Sequence, residues 1–408
     1  MTNYNTTTLN NGLRIIHLPS ASPVVYCGIG INAGSRHEAL GEEGLAHFCE
    51  HTTFKGTKKR SALQILNCLE SVGGDLNAFT NKEDTIFYAA IQREHFTRAV
   101  NLLTDIVFFS IYPQHEIEHE VDVICDEIES YNDSPAELIY DEFENMIFCG
   151  HPLGHNILGT RERVQGFTSN DAQRFTQRYY RPDNAIFFVY GDISFPQLVK
   201  MLERKVGSHL TGGQTPCEAH LTEGLSPCEV EVERPSHHQA HVMLGCKTFG
   251  YDDVRRMPLY LLNNILGGPG MNARLNISLR ERQGLVYTVE SSMASYSDTG
   301  CWSVYFGCDH HDVKRCLKLV NRELDRMMQH PLSPRQLTAA KRQLKGQLTI
   351  ACDNREQFAL DIAKHYLHRG KRRNITELLA NIDAITATQI QDVAQELFAP
   401  SHMQMITL

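Results

Sequence analysis

Alternation of hydrophobic and polar positions marks three strands early in the chain, in GLRIIHLP (12–19), VVYCGIGINAG (24–34) and TIFYAAIQ (85–92). Apolar residues recurring every three or four positions predict helices near 61–72, 95–108, 115–131 and 168–180. Strands come early and helices cluster later, an α+β order rather than that of a doubly wound parallel sheet. The periodicity stops at 207–228, where GSHLTGGQTPCEAHLTEGLSPC holds four Gly and two Pro and reads as a linker. The two sides of this break echo each other. FTSNDAQRFTQRYYRP (167–182) and ITATQIQDVAQELFAP (385–400) are each a Thr N-cap, a helix of about three turns and a Pro, followed by an apolar run. Thr168 matches Thr386 and Pro182 matches Pro400, at a common spacing of 218 residues. Ile117, Ile124 and Ile128 likewise match Leu337, Leu344 and Leu348, at a spacing of 220. The expected organisation is two homologous α+β domains, 1–206 and 229–408, joined by a linker at 207–228.

Composition narrows the class. With 408 residues, 42% hydrophobic and 21% charged, the chain is ordinary globular protein, neither disordered nor collagen-like. No run approaches the ~18 apolar residues of a membrane span. The start, MTNYNTTTLNNGLRIIHLP, has neither the basic nor the apolar segment of an export signal, so the expected location is cytoplasmic. Twelve cysteines are scattered without a C-x-x-C pair, which argues for core thiols over a zinc ribbon or a redox motif. A net charge of -9 without blocks of like charge argues against a nucleic-acid partner. The 20 histidines make their spacing the next question.

GEEGLAHFCEHTTFKGT (41–57) contains His47-x-x-Glu50-His51. On a helix, positions i and i+4 share a face, so both imidazoles can reach one ion, and Glu50 can reach a water on it. This is the inverted form of the zincin H-E-x-x-H motif. A catalytic zinc usually takes a third protein ligand and keeps a fourth position for water. The helix PQHEIEHEVDVICDEIESY (113–131) offers two candidates. Glu120 and Glu127 lie on one flank of its apolar stripe, roughly 60–80° from the centre, whereas Glu129 falls on the solvent side at about 120°. At the 220-residue spacing Glu120 becomes Ala340 and Glu127 becomes Gln347, and the second half has no H-x-x-E-H. One half could bind metal and the other could not.

The segment GLAHFCEHTTFKGT with the later Glu127 resembles the inverted-zincin metallopeptidases, the family of pitrilysin, insulysin and the mitochondrial processing peptidase. The resemblance runs on through GGDLNAFTNKEDTIFYAA (73–90) and LLNNILGGPGMNARLNISLRERQGLVYTVESS (261–292) and covers nearly the whole chain. It implies two processing-peptidase-like domains closing like a clamshell around a chamber that admits short or unfolded peptides. His47, His51 and Glu127 would hold one Zn(2+) per chain, Glu50 would be the general base, and Glu120 would orient a ligand histidine. Asn77 and Ala78 would lie on the edge strand that receives substrate. Arg280 and Tyr287 would match the family's substrate-binding pair, Tyr287 donating to the oxyanion. The small prokaryotic branch, whose length this chain shares, usually acts as a dimer in which that pair faces the opposite chain's zinc site. A homodimer is therefore expected, with a related chain as the other possible partner. GGPGMNARLN departs from the family's Gly-Gly-x-x-Ser-Ser-Arg-Leu, so loop shape and substrate fit are open. Some relatives serve instead as inactive structural or activating subunits, but such chains usually lack one of the four metal-site residues present here.

Overall fold

A computed structural model of the chain describes residues 4–207 and 239–408. Apart from Gly207, the predicted linker lies outside the described residues, as do 229–238 of the expected second domain. The first part of the chain carries strands β1 (Asn5–Thr8), β2 (Arg14–Pro19), β3 (Val24–Ile31), β4 (Asp75–Thr80), β5 (Thr85–Gln92) and β6 (Ala185–Gly191). Its helices are α1 (Leu45–Thr53), α2 (Ala62–Glu70), α3 (Phe96–Phe109), α4 (Gln114–Asn132), α5 (Pro135–Ile147), α6 (Arg161–Gly166), α7 (Ser169–Tyr179) and α8 (Phe195–Val206). The second part carries β7 (Ala240–Phe249), β8 (Val286–Ser295), β9 (Thr299–Cys308) and β10 (Gln404–Thr407). Its helices are α9 (Arg256–Gly267), α10 (Val313–Gln329), α11 (Pro334–Ala351), α12 (Arg355–Arg369), α13 (Ile375–Ala384) and α14 (Ala387–Leu397). Helix and sheet are mixed in both parts, as the α+β reading requires.

The chain divides into two compact units. Unit 1 draws on Met1–Ser130, His155–Thr222 and Ala351–Arg373, and unit 2 on Tyr131–Gly154, Glu223–Ile350 and Asn374–Leu408. The sheet of unit 1 runs β1-β2-β6-β3-β5-β4, with β2 and β6 parallel and the other neighbours antiparallel. The sheet of unit 2 runs β10-β7-β9-β8 and is antiparallel throughout. The order β6-β3-β5-β4 thus recurs as β10-β7-β9-β8, and α1 stands between β3 and β4 as α9 stands between β7 and β8.

Successive side chains of a strand point to opposite faces, so a central strand can feed two cores. In unit 1, Ile15, Val25, Ile29, Phe87, Phe187 and Val189 pack with α1, α3, α7 and α8. Their neighbours Ile16, Ile86, Ile186 and Phe188 pack on the other face against Ala359, Ile362, Ala363 and Leu367 of α12. β3 can lie this close to β6 only because position 28 is glycine, where a Cβ would stand 2.5 Å from the Phe188 ring. Unit 2 repeats the scheme. Val242, Leu244, Trp302, Val304 and Phe306 meet α9, α10 and α14, while Met243, Tyr305 and Ile406 meet Ile139, Phe143 and Ile147 of α5. Each sheet is therefore covered on its second face by a helix encoded in the other half of the sequence. The predicted helices at 61–72, 95–108, 115–131 and 168–180 correspond to α2, α3, α4 and α7, and TIFYAAIQ to β5. Among the described residues no helix is long and apolar enough to cross a membrane, and all ten cysteines are free.

Candidate metal centre

The site begins with the placement of α1. Gly44, at its N-cap, has φ 94°, and a Cβ there would stand 2.7 Å from the Leu158 carbonyl oxygen, so only glycine fits. The Glu38 carboxylate accepts hydrogen bonds from the Gly44 and Ala46 amides at 3.0 and 2.7 Å, and His155 Nε2 lies 2.9 Å from it. A carboxylate at this end meets otherwise orphaned helix N–H groups and the positive end of the helix dipole. Leu45, Ala46, Phe48 and Cys49 then turn into the core of unit 1. The remaining flank presents His47, Glu50 and His51 towards α4.

Glu120 and Glu127 of α4 meet that flank, whereas Glu129 is exposed and pairs with Arg161. Glu127 Oε2 lies 3.7 Å from His47 Nε2 and 3.4 Å from His51 Nε2. The two rings stand 4.5 Å apart between centroids. One ligand atom each from His47, His51 and Glu127 falls within 4.8 Å of the others. Glu120 Oε1 lies 2.9 Å from His51 Nδ1, which leaves His51 Nε2 to face the cluster, and Lys55 pairs with the other Glu120 oxygen. A second trio among the described residues, Asp309, His311 and Asp312, sits on a largely exposed turn.

The electrostatics separate the two imidazoles. Burial lowers His47 to about 4, and the neighbouring His51 charge presses the same way. Burial also works against a charge on His51, but hydrogen bonds with Glu120 and Glu127 outweigh it and lift the ring to about 9. Of the two rings, His51 is thus the one whose surroundings favour a proton, and His47 the one held towards the neutral form in which an imidazole binds metal. Glu50 is 8% exposed, and burial raises its pKa against the hydrogen bond it accepts from Thr80 Oγ1 at 2.6 Å. Two imidazole nitrogens, one carboxylate and an adjacent buried carboxyl form a donor set suited to zinc with a position left for water.

The other sequence-named residues lie elsewhere. Asn77 and Ala78 are on β4, which among the described residues pairs only with β5 and forms an edge of the sheet. Arg280 and Tyr287 belong to unit 2, not to the unit that holds the histidines. Arg280 is exposed in the π-helical stretch Asn276–Glu281. Tyr287 falls where the β8–β9 register shifts between Val286 and Thr288, and it is 84% exposed. An extra residue in a strand re-aims its side chain, which accounts for a tyrosine thrown clear of the sheet. Two residues not expected from the sequence, Lys55 and Thr80, complete the site through Glu120 and Glu50. Lys55 carried a usable signal, since it follows His51 by one helical turn and so faces the same carboxylate. Thr80 carried none, because its contact with Glu50 depends on how β4 meets α1.

Comparison with known proteins agrees along the chain. Residues 15–161 match the family described as Insulinase (Peptidase family M16), and residues 166–344 match the Peptidase M16 inactive domain. A Bacillus subtilis protein, YmxG, described as an uncharacterized zinc protease, is 31% identical over 97% of this chain and 96% of its own length. A Streptomyces coelicolor protein of the same description is 32% identical over 96% of this chain and 86% of its own. In fold, the chain is similar to the crystal structure of a protease from Helicobacter pylori, with a TM-score of 0.91 at 21% identity. That match covers 100% of this chain and 99% of the other. A Pseudomonas fluorescens structure described as a peptidase M16 inactive domain gives a TM-score of 0.86 at 18% identity, over 99% and 98% of the two chains.

Proposed function

The chain belongs to the insulinase family, peptidase family M16, and from that premise we propose that it is a zinc-dependent endopeptidase acting on short or unfolded peptides. The observation that carries the reading is the convergence of His47, His51 and Glu127 within 4.8 Å beside the buried Glu50. Zinc bound there would acidify a water and polarise a peptide carbonyl. Glu50 takes the water proton and returns it to the leaving amine, a shuttle that suits a carboxyl raised by burial. Thr80 holds one Glu50 oxygen and leaves the other for this work. Glu120 keeps His51 Nε2 turned to the cluster. Substrate adds to the free side of β4 at Asn77 and Ala78 as an extra strand, held mainly by main-chain hydrogen bonds that tolerate many side chains. Arg280 and Tyr287 supply further substrate contacts, within a cytoplasmic homodimer. The match of 166–344 to an inactive domain contains none of His47, Glu50, His51 and Glu127, so it does not favour the inactive-subunit reading.

The test measures zinc stoichiometry and hydrolysis of a quenched peptide library for wild type and Glu50→Gln. One zinc per chain in both, with turnover lowered roughly 10²–10⁴-fold in the variant, is expected. A zinc-loaded wild type that cleaves no peptide sinks the peptidase reading. Equal rates in the two proteins sink the role of Glu50.

A further inference from the structure

Unit 2 has a cavity of about 250 Å³ between α9, the loop after it and α11. It occupies the place, between the helix after the first core strand and the long helix at the 220-residue spacing, where unit 1 gathers its histidines and glutamates. Its lining includes Asn264, Asn272, Arg274, Gln336, Ala340 and Gln343, four amides and one guanidinium without a carboxylate. Asn272 and Gln343 are used by each other, in hydrogen bonds of 2.9 and 3.0 Å, and the Gln336 side-chain oxygen accepts from Ser333. Asn264, 8% exposed, and Arg274, half-buried, make no side-chain hydrogen bond or ion pair among the described residues. The carboxylate whose field reaches Arg274 is Glu323, but it already pairs with Arg326 at 2.7 Å. One turn beyond Gln343, Gln347 has a buried Oε1 without a partner.

A partly desolvated guanidinium without a counter-ion is costly, and its planar fork of donors fits a carboxylate. The lining excludes a metal or a cationic ligand, which would need carboxylates or imidazoles. The volume is below the ~300 Å³ at which small-molecule pockets begin, so it suits the end of a chain rather than a whole cofactor. An amide lining the same cavity as the guanidinium offers both a donor and an acceptor, as a peptide group requires. We propose that this cavity binds the C-terminal carboxylate of a short peptide, with Arg274 as counter-charge and Asn264 hydrogen-bonding the last peptide group. The site is separate from the metal cluster and does not depend on the peptidase reading.

The test titrates the full chain by calorimetry with N-acetyl-dialanine, with its C-terminal amide, and with inorganic phosphate. The acid is expected to bind with a dissociation constant on the order of 1 mM, and the amide at least ~10-fold more weakly. Arg274→Gln should weaken the acid at least ~10-fold, Arg274→Lys less, and His51→Ala not at all. No binding of the acid, equal binding of acid and amide, or tighter binding of phosphate overturns the proposal. So does a loss with His51→Ala that Arg274→Gln does not reproduce, because the probe then sits at the metal cluster. If Arg274→Gln lacks a cooperative melt, Asn264→Ala reads the same site. An approximately 3- to 10-fold weakening is then expected, and unchanged binding overturns the assignment.

Discussion

Between α1 and α4 of unit 1, two imidazoles and Glu127 converge on one point, and Glu120 holds His51 by its other ring nitrogen. Between α9 and α11 of unit 2, the corresponding space is bordered by Asn264, Ile265, Ala340 and Gln343, with Gln347 at the position of Glu127. The two units share strand order and helix placement, so the contrast isolates what the metal chemistry adds to the fold. It adds side chains only. The scaffold stands with carboxylates and imidazoles in that space, or with amides and alanine. In unit 1 the buried charges must be paired, and Glu120 is held by both Lys55 and His51. In unit 2 the one guanidinium at the cavity is left unpaired.

The contrast can be broken by giving unit 1 the residues of unit 2. Glu127→Gln copies Gln347, and it should cost the most. Zinc affinity is expected to fall at least ~100-fold, with hydrolysis lost in proportion, as read by zinc analysis after dialysis against a weak chelator. Glu120→Ala copies Ala340 and leaves His51 free to turn. A 10–100-fold loss of zinc affinity is expected, measured by competition with a metal indicator. If affinity is unchanged, Glu120 does not orient His51.

The helices on the second face of each sheet sharpen the comparison. In unit 1, α12 is pinned by His368 Nε2 against Asp84 at 2.9 Å, both side chains nearly fully buried. In unit 2, α5 is pinned by Tyr140 on Glu290 and by Glu144 on Tyr296. Burial alone would raise Asp84, but the hydrogen bond with His368 and the charge of Lys364 bring it below its ordinary value. Its contribution is therefore complete above the unfolded pKa of about 3.9 and is lost as pH falls through the folded value. Asp84→Asn should cost about 1–3 kcal/mol at neutral pH and flatten the acid limb of the denaturation profile. An acid limb as steep as that of wild type would assign the acid sensitivity to other groups. The smallest effect is expected from the reverse exchange. Ala340→Glu with Gln347→Glu restores both carboxylates to unit 2, yet zinc should stay at one per chain because α9 supplies no imidazole. A second equivalent of zinc would mean that the missing histidines do not set the contrast.

Much of this was legible because it is local. The period of the apolar residues marked α4, and the spacing of His47, Glu50 and His51 fixed their common face. Glu120 and Glu127 followed from the angle around the same helix. What escaped is non-local. The Thr80 contact with Glu50, 30 residues earlier, exists only once β4 lies beside α1. The register shift that exposes Tyr287 depends on how β8 meets β9. The destination of α5 and α12 escaped as well, since an amphipathic pattern shows which face of a helix is buried but not which sheet receives it.

That exchange of helices bears on how the protein comes to be folded. A ribosome that has finished residues 1–206 has made every strand of the first sheet but not α12, so one face of that sheet stays bare until some 150 further residues are added. The exposed strip, with Ile16, Ile86, Ile186 and Phe188, is an aggregation hazard during that interval. The same logic makes the two halves obligate partners. Severed between 208 and 238 and expressed apart, neither would hold all its own parts, and native structure would return only when both fragments share one solution.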